Sequence, residues 1–563
     1  MELPGGDHAL IVAAAVLLSV MAAVMVCSAT LENQTWDEGV HLATGYAYWR
    51  LGDFRINSEH PPLAKLLCAA PLLALDLRLP LEHESWRSGE LPVFGAVFTY
   101  RNRISPDAML LLGRLPAMVL TLLLGVAIAW WTRWQFGAAA ALVALFLFAL
   151  DPNFIAHGRY VTTDVCVTLF VFLSCAAWAG YLEHGGLKRL AAAGLMLGLA
   201  LASKFSALFL AGVLPLLYLI HWLFKPARRP LRRFVLAHAA LAVIAMAVVL
   251  AIYAPETVAA FRGGKSDPLA SHVNPETVTG KLLGQAGHAL DLPAHAWALG
   301  LDTLATHDYK GHPNYLLGEV STSGRPLYFP VVLTVKTPAA LLILLLLAAA
   351  AAVLALRRGG LRGVRAAPFA WVVVTAPPLA YFAIAMAGNI NLGVRHLLPV
   401  YPFLIVLGSA VLAKWKRAWL ALPLLAGLHV YEHVSVAPHY LAFFNTFSGG
   451  PARGIEYLGD SNLDWGQDWK KFARYMADHQ IDKVLVSYFG TADLRYYGVA
   501  HRWLWSVQHE PEPKDLDAVV AISATILQGI YGERERYAWY RSRAPDARVG
   551  YSIYVYDLRK SRL

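Results

Sequence analysis

The chain is short of charge and short of cysteine. Asp, Glu, Lys and Arg make up only 15% of its 563 residues, where soluble globular proteins carry about 25%. Hydrophobic residues reach 57%, against about 45 to 50%, so an ordinary soluble enzyme is excluded. The four cysteines, Cys27, Cys68, Cys166 and Cys175, all sit in apolar stretches. They have neither disulfide-framework nor zinc-ligand spacing, which leaves them as small core residues. Acid is missing altogether from three segments, 225–233 (KPARRPLRR), 357–365 (RRGGLRGVR) and 414–417 (KWKR), which together hold twelve basic residues. They account for the whole net charge of +10. The excess is therefore spread over loops between apolar runs, which argues against a nucleic-acid partner. Such loops mark the cytoplasmic face and meet anionic lipid headgroups.

What the sequence has in quantity is long apolar runs. Residues 9–31 are uncharged and long enough to span a bilayer. Glu2 and Asp7 precede them without any Lys or Arg, the pattern of a retained anchor and not of a cleaved signal. Further spans are expected at 107–131, 138–150, 160–182, 190–204, 205–224, 234–254, 327–356, 367–387, 397–413 and 418–436, about eleven in all. With the N-terminus in the cytoplasm, alternation places all three basic clusters on the cytoplasmic side. It places 32–106, 255–326 and 440–563 outside. The expectation is an α-helical polytopic membrane protein with a membrane part over 1–439 and an extracytoplasmic α/β domain over 440–563. Strands are expected in that domain at 483–489 (KVLVSYF), 518–523 (AVVAIS) and 551–556 (YSIYVY).

Ionisable residues inside spans are costly, so each is a candidate functional group. They are few, and the topology puts four of them, Arg114, Asp164, Lys204 and Lys336, toward the external side. A structural ion pair or a snorkelling side chain is the competing account of each one singly. Asp37 and Glu38 follow the first span closely, holding two carboxylates at the membrane surface, where one can act as a base while the other orients it or the pair holds a cation. A lone acidic pair is more often an exposed turn. Glu59-His60-Pro61-Pro62-Leu63-Ala64-Lys65 starts an interfacial helix at its proline pair. Arg395 and His396 open another helix near the same surface, with arginine suited to bidentate grip of a phosphate. The loop 311–330 (GHPNYLLGEVSTSGRPLYFP) brings Tyr315 and Glu319 toward a span entrance and could line or cover a pocket.

Other motifs fail. Gly264-Lys265-Ser266 looks like the end of a P-loop, but position 259 is Ala and no soluble strand precedes it. DSNLDWGQD at 460–468 imitates a calcium loop with Trp465 and Lys471 where Gly and Glu belong. Gly194 and Gly198 read as helix packing.

The ordered set Asp37-Glu38, His60-Pro61-Pro62-Leu63-Ala64-Lys65, Arg114 and Arg159 to Asp164 (RYVTTD) resembles the GT-C membrane glycosyltransferases, above all the protein O-mannosyltransferases. The resemblance implies a GT-C fold of about eleven to thirteen spans and a polyprenyl- or dolichyl-phosphate sugar as donor. It also implies Asp37 as base, Glu38 as its partner and Arg114 as an essential site residue. Aminoarabinose lipid A transferases have a similar layout but typically show Lys before the proline pair, where this chain has His60. Independent chemistry points the same way. A phosphate departs as a stabilised anion and needs no general acid, unlike the leaving group of a glycosidase, which requires a second, separated carboxylate. One base and fixed cations suffice, and Arg114, Lys204, Lys336 and Arg395 are the cations expected to hold the phosphate. His60, Lys65, Arg159, Asp164, His396, Tyr315 and Glu319 complete the expected pocket. The expected reaction is inverting transfer of a sugar to an acceptor hydroxyl of a protein, lipid or glycan at the external face of the inner (plasma) membrane. A divalent metal ion on Asp37 and Glu38 stays open. The competing reading is a lipid or sugar transporter, which would put its charges near the bilayer midplane between internal repeats.

Overall fold

A computed structural model describes residues 5–54, 56–225, 231–261, 273–287, 295–415, 417–504 and 516–559. Among the described residues eight helices are long and apolar enough to cross a membrane, from His8–Thr30 through Val394–Lys414, with shorter apolar helices between them. Every expected span is helical. One is broken: 327–356 divides into Tyr328–Lys336 and Ala339–Ala366, because Pro338 cannot supply the backbone donor a continuous helix needs. The segment with Gly264, Lys265 and Ser266 lies outside the described residues, as do 226–230 and Lys416 of the basic clusters.

Small residues let the helices approach closely. A side chain at Gly194 or Gly198 would collide with Ile244 or with Val248 and Ala245 of the neighbouring helix Leu231–Ile252. The first long loop is itself built. Helices Glu38–Leu51, Leu63–Ala69 and Leu91–Tyr100 bury Leu42, Tyr46, Cys68, Phe94 and Phe98 against Met109 and Leu110 at the start of Pro106–Phe136.

The hairpin β1 (Asn314–Leu316) and β2 (Glu319–Ser321) is separate from the C-terminal sheet of β3 (Val484–Ser487), β4 (His501–Trp503), β5 (Val519–Ser523), β6 (Ala547–Val549) and β7 (Ile553–Asp557). Its order is β4-β3-β5-β7-β6, with β3 parallel to β4 and β5, and β7 antiparallel to β5 and β6. The three expected strands are β3, β5 and β7. Alternation along β5 and β7 feeds two cores. Val519, Ala521, Ile553 and Val555 face Trp469, Phe472 and Met476 of the helix Trp469–Asp478, whereas Val520, Ile522, Tyr554 and Tyr556 join the core of the membrane helices. Backbone bonds from Asn33 to Gln467 and from Trp36 to Trp465 tie the first loop to the C-terminal segment.

Candidate active site

Two buried ion pairs stand behind the end of the helix bundle. Arg114 grips Glu38 bidentately, Nε to Oε1 at 2.8 Å and Nη2 to Oε2 at 2.7 Å. The backbone N–H groups of Thr35 and Val161 donate to the same carboxylate. Arg114 gives its other protons to the carbonyls of Ala29 and Asn33. Arg159 in turn donates to both oxygens of Glu32, at 2.8 and 2.7 Å, and to the Ser28 hydroxyl. Tyr160 and Lys471 complete the shell of Glu32. Burial works against the Glu32 charge, but Arg159, Lys471 and Arg114 outweigh it and hold the carboxyl below its ordinary range.

In front of these pairs lies a cavity of about 570 Å³ lined by Asp37, His60, Lys204, Arg395 and His396. A string of alternating charge runs along its floor. Arg395 Nη1 donates to Asp37 Oδ2 at 2.7 Å and lies 4.0 Å from Asp164 Oδ2, and Lys204 Nζ donates to Asp164 Oδ1 at 2.5 Å. Helix ends set most of this arrangement. Asp37 and Asp164 begin the helices Glu38–Leu51 and Asp164–His184, where the helix dipole favours acid, and Lys204 caps the C-terminus of Leu187–Ser203, where it favours base. Arg395 follows Gly393, whose φ of 92° suits glycine and where a side chain would overlap the Asn462 amide. Its guanidinium lies over the Trp465 ring at 4.4 Å, and its buried Nε has no hydrogen-bond partner among the described residues. Burial pushes His60 down to about 3, against the pull of Glu59 and with the push of Lys204, so it lines the cavity as a neutral imidazole.

The expected pocket divides in two. Asp37, His60, Lys204, Arg395 and His396 line the cavity and Asp164 braces it from behind. Arg114 and Lys336, expected on the phosphate, do not reach the wall. Arg114 is saturated by Glu38 and carbonyls, and Lys336 is buried on the carbonyls of Leu441 and Asn462 at 3.0 and 2.8 Å. Glu38 does not share the cavity with Asp37, because consecutive helical residues point about 100° apart. The two carboxylates therefore do not fit a shared metal ion, and among the described residues no cluster of three or more His, Cys, Asp or Glu is arranged to hold one. Lys65 is committed to Tyr48 and Asn57, and Arg159 to Glu32. Tyr315 and Glu319 lie on the β1–β2 hairpin, with Glu319 paired to Arg325, away from the cavity lining. The backbone N–H of Val394, next to Arg395, donates to the Asn462 side chain.

Several lining residues went unread in the sequence. Asp460 and Trp465 come from the segment that imitates a calcium loop. Its acids diverge: Asp460 meets Tyr531, Asp464 takes the Thr525 backbone donor, and Asp468 takes Ser552 and Lys471. Burial pushes Asp464 up to about 7. Trp36, Phe489 and Tyr531 stack face to face along one wall, at 4.8 and 5.0 Å. Glu59, His307, His312, Tyr531 and Asp460 line the cavity as one hydrogen-bonded chain.

Residues 92–253 match the family described as dolichyl-phosphate-mannose-protein mannosyltransferase. The chain is similar in structure to ArnT from Cupriavidus metallidurans bound to undecaprenyl phosphate, with 14% identity, a TM-score of 0.46, and coverage of 97% of this chain and 99% of that one. It is also similar to the Pmt1-Pmt2 complex of S. cerevisiae bound to the sugar donor, with 19% identity, a TM-score of 0.35, and coverage of 49% of this chain and 36% of that one. A third likeness is to the archaeal oligosaccharyltransferase AglB from Archaeoglobus fulgidus, with 12% identity, a TM-score of 0.43, and coverage of 85% and 64%. No curated protein matches the sequence.

Proposed function

We propose that the chain is a GT-C type membrane glycosyltransferase that moves a sugar from a polyprenyl-phosphate donor to an acceptor hydroxyl, with inversion, at the external face of the inner (plasma) membrane. The observation that carries this reading is Asp37. It is a partly exposed carboxylate in a cavity at one end of the helix bundle, held by Arg395 with Lys204 close behind.

Asp37 takes the proton of the acceptor hydroxyl as its oxygen bonds to the sugar's anomeric carbon. The bond from that carbon to the phosphate oxygen breaks, and its electron pair leaves with the phosphate. Arg395 and Lys204 then face the dianionic product, and Arg395 can turn its fork from Asp37 to phosphate. His60 adds a neutral imidazole to the wall, and the His396 ring lines it too. The match to a mannosyltransferase family over 92–253, which includes Asp164 and Lys204, supports the same reaction class. A transporter reading calls for charges near the midplane. Here the buried charges gather at one bundle end, and Lys225, Arg357, Arg358 and Lys414 lie at the other.

The test is transfer of radiolabelled sugar from polyprenyl phosphate by the purified protein to a panel of protein, lipid and glycan acceptors. Absence of transfer to all of them, with donor bound, would refute the reading.

A further inference from the structure

The chain along the cavity wall has an unusual proton count. His307 Nδ1 meets Glu59 Oε1 at 2.8 Å, His307 Nε2 meets His312 Nδ1 at 3.0 Å, His312 Nε2 meets the Tyr531 hydroxyl at 2.9 Å, and that hydroxyl meets Asp460 Oδ2 at 2.8 Å. Each link uses a different atom of its ring, so the chain is linear and each link needs a proton of its own. Four links need four protons. Two neutral imidazoles and one phenol supply three, and ionised carboxylates supply none. With all four links made, the chain holds one proton more than its members ordinarily carry at neutral pH.

We infer that Glu59, His307, His312, Tyr531 and Asp460 form a proton relay that holds this one extra proton and carries the acceptor's proton out of the cavity. The proton can move without any heavy atom moving far, because each link can pass its hydrogen to the next group. The ends differ in access. Asp460 is buried beside Arg395, whereas the side chains of Glu59 and His307 are 35% and 27% exposed. The chain thus runs from Asp460, which faces the same Arg395 as Asp37, to the more open rim.

The charged groups that face the chain from other elements are Arg395 and Asp37, and the neutral His60 imidazole lies beside Glu59. The hydrogen bond from His307 holds Glu59 well below the usual carboxylate range, and burial holds His312 below the usual imidazole range, so it is the geometry of the four links that calls for the extra proton. The catalytic half of the inference rests on the proposed function. Transfer breaks the acceptor O–H bond and leaves a phosphate monoester whose second pKa is about 6, so near neutral pH one proton must leave the site in each cycle. Asp37 is first to receive it and has to be emptied before the next turnover.

The test uses the full-length protein in lipid nanodiscs, labelled with ¹⁵N-histidine, with His307→Gln and His312→Gln serving to assign the signals. At pH 7 the two imidazoles together should carry three ring protons in the parent. Tyr531→Phe keeps the ring in its stack but removes the last two links, so the pair should fall to two. The kcat for polyprenyl-phosphate sugar should drop at least about tenfold in Tyr531→Phe with KM unchanged. Two ring protons in the parent, or three retained in Tyr531→Phe, would overturn the proton count. An altered count with unaltered kcat would overturn the role in transfer. A parent that shows three ring protons but turns over no donor would instead refute the glycosyltransferase reading and leave the count standing.

Discussion

Arg395 Nη1 lies 2.7 Å from Asp37 Oδ2, a contact that joins the start of a late helix to a residue 358 positions earlier in the chain. The proposed base is thus held by a cation before any substrate arrives. A donor phosphate competing for that guanidinium would free the carboxylate as it binds. Substrate binding and release of the base then become one event.

From this follows the first expectation. Asp37→Asn removes the proton acceptor but keeps shape and one oxygen, so donor binding should persist while transfer falls by about 10² to 10⁴. Binding of polyprenyl phosphate and single-turnover transfer, measured on the same preparation, check it. A loss much smaller than a hundredfold would remove Asp37 from the role.

Its neighbour should behave in the opposite way. Glu38 is fully buried and is the anionic partner of an almost fully buried Arg114. Glu38→Ala would strand that guanidinium and should destabilise the fold by about 3 to 5 kcal/mol, the range for breaking a buried pair from one side. Thermal unfolding in detergent should show a large fall for Glu38→Ala and a clearly smaller one for Asp37→Asn, whose carboxylate is partly exposed and whose amide oxygen can still accept from Arg395. Similar losses in both would mean that the two carboxylates share one environment.

Stability should also depend on acid through Glu32. Its carboxyl is held below the ordinary range in the folded protein, against about 4.3 when unfolded. A depressed folded value contributes stability that is fully present above the unfolded value and lost as pH falls through the folded one. The Tm of the parent should therefore drop steeply below about pH 4.3. Glu32→Gln should have a lower Tm at pH 7 and a flatter acid slope. Identical slopes would place the acid sensitivity elsewhere.

Much of this site could be read from the sequence because burial and charge rarely coincide by accident. Apolar runs marked the helices, and the charges at their ends, Asp37, Asp164, Lys204 and Arg395, lie together along the cavity. What misled is that a cation in an apolar run looks the same whether it faces a ligand or a structural partner. Arg114 and Lys336 belong to the second kind, and only Glu38 and the carbonyls of Leu441 and Asn462 reveal it. The relay was illegible for another reason. Its members come from positions 59, 307, 312, 460 and 531, and although Glu59, His312 and Asp460 belong to segments that stand out in the sequence, nothing within those segments links one to another. Only the seating of the C-terminal segment on the bundle brings them together.

The last expectation concerns the phosphate. Arg395 and Lys204 are the cations of the floor string, and each is already matched to an acid, Asp37 and Asp164. The string is neutral without ligand, so an incoming anion gains attraction only where a cation can exchange partners. Arg395 can do so, since its planar fork offers several donors and its Nε has no partner among the described residues. Lys204, a point charge held by a buried Asp164, changes less. Arg395→Lys keeps the charge but must choose between Asp37 and phosphate, so it should weaken polyprenyl-phosphate binding about tenfold or more, equivalent to about 1.4 kcal/mol. Lys204→Ala should weaken binding less but also leave Asp164 unpaired, with a drop in Tm that Arg395→Lys does not show. Binding measured by displacement of a labelled polyprenyl phosphate, alongside thermal unfolding of each variant, separates these outcomes. Parent-like binding in folded Arg395→Lys would place the phosphate on other groups, with Lys204 the first to examine.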